Sequence, residues 1–317
     1  MNLDLFLSEE AIQTTVAVAT PLLMAGFGEV ILERSGIMNL SIEGMVTLGA
    51  ATTFVVVFVL GGSGFLPVVA GLAAGALAAV LVGCLLAGMT IRLRGNQVAV
   101  GLALLVLSLG LASLLYRLVI GTPSEQPRID TLPRLPVPVL SDIPVVGGIL
   151  FNQNAYVYVA YLLTVPIVVF LFRTPIGLKL RAVGENPKAA DTLGLPVARL
   201  RWTAVLLGSS LIGLAGAFFP LSLTGTYEDT AVGGRGWLAL MLVIFARWHP
   251  KGVLIGGLLF AYVDSLQFRV GAYGGGVPPE LLQMVPYVLA IVTLVLAYGR
   301  AAAPAALGKP YDREARF

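Results

Sequence analysis

Four carboxylates stand in stretches of this chain that are otherwise apolar: Glu29 and Glu33, four residues apart and therefore on one helical face, Glu43, and Asp264. Charge is costly in such a setting, so each group needs a partner or a function. Glu33, Arg34 and Glu43 could pair at the mouth of a bundle, and Asp264 could pair with Arg269 or hydrogen-bond a ligand. Neutral groups stand nearby in sequence. Asn39 and Ser41 precede Glu43, Asn96 and Gln97 open another apolar stretch, and all four could bind the polar groups of a solute. Trp237 and Phe245 could stack on a flat ring or anchor the chain at a membrane interface. No catalytic set emerges. The one histidine, His249, sits between Arg247 and Lys251, and Ser108, Ser113, Ser209 and Ser210 read as helix-packing hydroxyls. The one cysteine, Cys84, excludes a disulfide framework and a Cys-based metal site. Gly308-Lys309-Pro310 lacks the glycine spacing and the hydroxyl of a phosphate loop.

The elements that carry these residues follow from hydropathy. The chain is 57% hydrophobic and 12% charged, with mean hydropathy +0.91, against about 25% charged residues in soluble domains. Lipid must be its solvent. Apolar stretches of roughly membrane length run over 11–32, 43–60, 66–91, 97–118, 155–172, 202–222, 236–247, 252–270 and 282–299. They predict an all-α polytopic transmembrane bundle of about 8–10 spans, with residues 1–317 forming one domain. Two regions predict broken or half-length helices: 36–47, which mixes polar and apolar residues, and 236–247, which is too short to span. Irregular backbone at membrane depth is tolerated where protein buries it or a cavity borders it. The N-terminus carries Asp4, Glu9 and Glu10 but no Lys or Arg before the first span, so it lacks the basic region of a cleavable signal and the span is expected to remain as an anchor.

Cations set the orientation. With 173–201 inside and the spans alternating, fifteen of the 20 Lys and Arg fall inside, the C-terminal Arg300, Lys309, Arg313 and Arg316 among them. Arg117, Arg128, Arg134, Arg235 and Arg269 fall outside. This predicts the N-terminus outside and the C-terminus in the cytoplasm. It also explains the net charge of +3 as topology, not as affinity for nucleic acid. The outer loop, about 119–154, holds six prolines and is expected to be extended and irregular, as a surface connector or a contact for a soluble partner. The outer segment 226–229 could meet that partner or form a gate. Gly71 with Gly75, and Gly252 with Gly256, have the spacing of close helix packing.

The polar inner segment, about 174–201, predicts a short helix. Asn186 suits the N-cap, Pro187 the first helical position, and Gly194 the stop. Ala189, Ala190 and Leu193 give that helix a small apolar face. On these residues alone it is either a lever for an energy-supplying subunit or an amphipathic anchor at the membrane surface.

The run from Arg181 to Gly194, RAVGENPKAADTLG, resembles the cytoplasmic loop signature of ABC importer permeases of the branched-chain amino acid, ribose and nucleoside superfamily. Glu33 to Gly44, ERSGIMNLSIEG, and Gly234 to Pro250 resemble segments of its nucleoside and simple-sugar branch, closest to permeases that work with basic-membrane-protein type binding proteins. The resemblance runs from about residue 15 to 300. It implies a type II importer-like fold in the bacterial cytoplasmic (inner) membrane. It further implies a non-catalytic subunit that binds no cofactor, with ATP and Mg handled by a partner ATPase. A second, paralogous permease and an extracytoplasmic binding protein complete the scheme. Gly184, Glu185, Asn186, Pro187, Ala189, Ala190 and Gly194 would couple to the ATPase. For a neutral nucleoside, Asn39, Ser41, Glu43, Asn96, Gln97, Trp237 and Asp264 are the pathway candidates. A simple sugar suits the same scheme, and an ion-coupled secondary transporter is compatible with the broken helices and Asp264.

Overall fold

The computed structural model describes residues 8–62, 64–272, 278–297 and 303–312; Asp4, Arg300, Arg313 and Arg316 lie outside them. The main helices are α1 (Glu9–Arg34), α2 (Ile42–Val59), α3 (Phe65–Ala87) and α4 (Gln97–Val119), then α5 (Val146–Phe151), α6 (Ala155–Arg173), α7 (Pro175–Glu185) and α8 (Pro187–Thr192). They continue as α9 (Val197–Phe218), α10 (Arg235–Phe245), α11 (Pro250–Ala272) and α12 (Pro279–Ala297). Wider π-helical turns, Gly88–Arg92 and Phe219–Thr224, extend α3 and α9. The second begins beside Pro220, which has no N–H to continue an α-helical ladder. Over the described residues each apolar stretch read from the sequence falls on one helix with any π-helical extension, and among those residues six helices are long and apolar enough to cross a bilayer.

Their composition explains their places. α1 is the least hydropathic of the six and the most enclosed: its most apolar window averages 1.7 and is 94% buried. The windows of α3 and α4 average 2.5 and 2.6 and are 28% buried. A helix at the centre can carry Gln13, Thr15, Glu29 and Glu33 because protein groups can satisfy them, whereas a lipid-facing helix cannot. α9 packs along α1, α2 and α3. Two crossings need glycine: a Cβ on Gly28 would lie 2.5 Å from the Gly208 carbonyl, and one on Gly49 2.5 Å from that of Gly213. Gly71 and Gly75 do seat α3 on α2, where the Thr53 hydroxyl donates to the Gly71 carbonyl at 3.1 Å.

Both irregular regions are present. Between α1 and α2 the chain turns at Gly36, with φ of +89°, and an Asx turn at Asn39 restarts it: Asn39 Oδ1 accepts from the Ser41 N–H at 3.0 Å. α10 has 11 residues, about 16 Å of helix, or half the hydrocarbon core.

Three local expectations are corrected. The outer loop is not free of helix: past its last proline, Pro144, residues Val146–Phe151 form α5, and Arg134–Pro136 pairs antiparallel with Asn152–Asn154. The inner polar segment forms two helices, because Thr174 and Pro175 start α7 as Asn186 and Pro187 start α8. The apolar face of α8 is divided: Ala190 is buried while Ala189 and Leu193 are exposed. Four-residue spacing puts Ala189 and Leu193 on one side, with Ala190 about 100° away.

Candidate functional site

The pathway candidates fall into three environments. The first surrounds the N-terminus of α10. Glu43, at the start of α2, accepts from the Gly234 N–H at 2.8 Å and the Gly236 N–H at 2.7 Å. Gly234 has no capping side chain of its own, so a carboxylate from another helix caps the half-helix, opposite the positive end of its dipole. Arg235 then reaches sideways to Asp264 on α11, with Nη2 at 2.9 Å and Nε at 3.0 Å from Oδ2. Both side chains are largely buried. Tyr287 closes the cluster by donating to the Gly233 carbonyl at 2.7 Å, and Trp237 is half-buried on the same helix. Asp264 thus pairs with Arg235, and Arg269 donates to the Ala11 carbonyl. Arg235, counted from sequence as an outer-loop cation, is the missing member of the cluster.

The second environment ties α1 to the break. Asn39 Nδ2 donates to Glu29 Oε2 at 3.1 Å, and Asn39 Oδ1 accepts from the Ser41 hydroxyl at 2.6 Å. Asn39 and Ser41 are fully buried. One turn along α1, Glu33 accepts from the Trp248 indole, and Arg34 donates to the Trp248 carbonyl at 2.9 Å. Glu33 and Arg34 thus meet on Trp248, while Glu43 caps α10.

The third environment is the end that carries the polar segment. Asn96 caps α4, accepting from the Val98 and Ala99 N–H groups at 3.0 and 3.1 Å. Gln97 is buried and accepts from the Met38 N–H at 2.6 Å, with its amide nitrogen 3.5 Å from the Lys309 carbonyl.

The coupling candidates gather at this same end. Asn186 Oδ1 accepts from the Ala189 N–H at 3.0 Å, Pro187 opens α8, and Gly194, φ +78°, ends it. Ala190 packs with Val183 and Val197 beneath the helix. Leu193 projects with 81% of its surface exposed. Gly184 lies so close to the Arg34 carbonyl that any side chain would strike it, and Glu185 lies 3.8 Å from Arg34. The C-terminal segment clasps the junction, with the Ala306 N–H donating to the Gly184 carbonyl at 3.0 Å and Asp312 pairing with Arg94 at 2.7 Å. These long-range ties, and buried Arg201 donating to the Ser35 carbonyl at 3.1 Å, had no local signal in the sequence. Outside the spans, His249 stacks on Phe172 with ring centroids 4.5 Å apart. Partial burial, then Arg34 and Lys251, hold its imidazole below the usual value.

A family model described as branched-chain amino acid transport system, permease component, matches residues 11–294. TsgC13 of Haloferax volcanii, named as a candidate glucose ABC transporter permease protein, is 37% identical and covers 96% of this chain and 97% of its own. The nucleoside ABC transporter permease protein NupC of Lactococcus lactis is 35% identical, covering 92% and 93%. The guanosine ABC transporter permease protein NupQ of Bacillus subtilis is 32% identical, covering 96% and 97%. A solved candidate metal-chelate type ABC transporter in an inward-facing conformation shares the fold, with TM-score 0.52 at 19% identity over 91% of this chain and 84% of that one. The chain belongs to the branched-chain amino acid transport system permease family and is a multi-pass membrane permease subunit of an ABC transporter.

Proposed function

We propose that this subunit carries nucleosides into the cell across the bacterial cytoplasmic membrane, with its N-terminus outside and its C-terminus in the cytoplasm. It does so by alternating access driven by a partner ATPase. In this reading residues 1–317 act as one permease domain that binds no cofactor and performs no catalysis. ATP and Mg belong to the ATPase, a paralogous permease completes the pathway, and a binding protein delivers solute to the outer face, where the loop of about 119–154 lies. The segment of about 174–201 is the coupling element. The observation that carries the reading is α8: a capped helix with Ala189 and Leu193 turned outward, fixed through Gly184 and Glu185 to the turn after α1. Force applied to α8 is delivered to that turn, and through Asn39 to Glu29 and α2. The Glu43, Arg235 and Asp264 cluster then serves as the hinge of the half-helix.

The names of NupC and NupQ support a nucleoside as cargo, and that of TsgC13 supports a simple sugar as the second reading. Calorimetry on the cognate binding protein decides between them. The mode of drive is tested by reconstituting the complex and measuring uptake. Uptake should stop when the ATPase is inactivated and should ignore an imposed ion gradient. Uptake that follows the gradient would establish a secondary transporter instead.

A further inference from the structure

Residues 303–312 form a strap across the end of the bundle that carries α8, and the strap grips its two sides unequally. On the side of α8 the grip is firm. The Ala306 N–H donates to the Gly184 carbonyl at 3.0 Å, and the Ala305 N–H donates to Glu185 Oε2 at 3.2 Å. Ala306 is buried, and its carbonyl lies against Gly36 in the turn after α1. Tyr311 packs beside Val183, Ala190 and Val197, the patch beneath α8, with the Arg201 guanidinium 6.0 Å from its ring centre. A backbone bond and a buried apolar contact are costly to break.

On the other side the strap meets the link between α3 and α4, and the grip is weak. Asp312 pairs with Arg94 at 2.7 Å, and the Lys309 carbonyl lies 3.5 Å from the Gln97 amide nitrogen. The Asp312 and Arg94 side chains are 32% and 49% exposed. An ion pair in that setting contributes little and is screened by salt, and the Gln97 contact is at the limit of a hydrogen bond. The link itself has a backbone that can rearrange. The wider turn Gly88–Arg92 leads into it. Arg94 then holds φ at +57°, a left-handed conformation that a residue with a side chain rarely adopts. We propose that the strap is a latch. It moves with α8 and holds the α3–α4 link through Arg94. Displacement of α8 draws Asp312 off Arg94, and the freed link opens this end of the pathway. The inference rests on the reading of α8 as the lever of an ATP-driven permease, and adds the part of the bundle that the lever releases.

The test uses the full-length permease, purified with its co-purifying subunits and reconstituted in proteoliposomes with its binding protein. Uptake of radiolabelled inosine and of radiolabelled glucose is measured in parallel, together with ATP hydrolysis. With Cys84→Ala as background, Arg94→Cys and Asp312→Cys are joined by a short, reducible bismaleimide. The cross-link should cut uptake roughly 10-fold or more, and reduction should restore it. The same reagent on Asp312→Cys alone should leave uptake unchanged. Separately, Asp312→Asn should raise hydrolysis without solute roughly 3-fold, because the latch is weakened. Arg94→Asp with Asp312→Arg should bring that rate back. Undiminished uptake in the cross-linked complex would overturn the proposal, as would an equal loss in the singly labelled control, a loss that reduction does not reverse, or unchanged hydrolysis in Asp312→Asn. Uptake that never depended on ATP would refute the lever, and the latch with it. ATP-driven uptake indifferent to the cross-link refutes the latch alone.

Discussion

Glu43 should tolerate almost no change, and the reason can be put in numbers. Its carboxylate accepts two N–H groups, at 2.8 and 2.7 Å, at the start of α10. Hydrogen bonds to a charged group contribute about 1.5–3 kcal/mol each. In Glu43→Gln the amide oxygen keeps one donor, and the amide NH2 turns a donor toward the other N–H. The loss is one such bond plus about 0.3–1 kcal/mol of charge–dipole attraction, reduced because a neutral amide is cheaper to bury. A net cost of about 2–3 kcal/mol is expected. Glu43→Ala loses both bonds and leaves the buried Gly236 N–H and the half-buried Gly234 N–H unpaired, for about 4–5 kcal/mol. Thermal unfolding of the purified complex in nanodiscs, with ATP-driven uptake at matched expression, should rank wild type above Gln and Gln above Ala. A Gln variant as stable and as active as wild type would show that the carboxylate does not hold α10, and the hinge reasoning would fail with it.

Asp264→Asn should cost about 3–5 kcal/mol, because it leaves Arg235 buried with half its pairing gone. Adding Arg235→Gln should recover part of that loss in a double-mutant cycle, and additive losses would contradict the pairing. Gly184→Ala should uncouple hydrolysis from uptake or prevent assembly, since a methyl group cannot fit against the Arg34 carbonyl; normal coupled transport would refute that contact. His249 is held below its ordinary value of about 6.5. Its neutral form is the folded one, so its contribution is complete above that ordinary value and is lost as pH falls through the lowered one. Thermal stability should therefore drop on acidification in wild type and less so in His249→Phe, and parallel profiles would refute it.

What was legible in the sequence was what lipid and local capping dictate. Long apolar runs have few solutions in a bilayer, so the helices fell where hydropathy put them, and α10 was short because its apolar run was short. Asn186, Pro187 and Gly194 announced α8 because caps act within one turn. The charges were not legible in the same way. Arg235 belonged by sequence to an outer loop, and its partner Asp264 lies 29 residues away on another helix. Glu43 and Gly236 are 193 residues apart, and Arg201 and Ser35 are 166 apart. Such pairings depend on how helices pack, which hydropathy does not encode. The prolines of the outer loop suggested irregular chain, but they stop at Pro144, and the six residues of α5 fit beyond it.

Site-directed cross-linking at Leu193 tests the central claim most directly. With Cys84, the chain's one cysteine, replaced by alanine, Leu193→Cys should react with impermeant thiol reagents in inside-out vesicles and be shielded when the complex assembles. It should also cross-link to a nucleotide-hydrolysing subunit at a yield that changes with bound ATP. Labelling from the outside of intact cells, or cross-links that never include such a subunit, would contradict α8 as the lever through which this permease is driven.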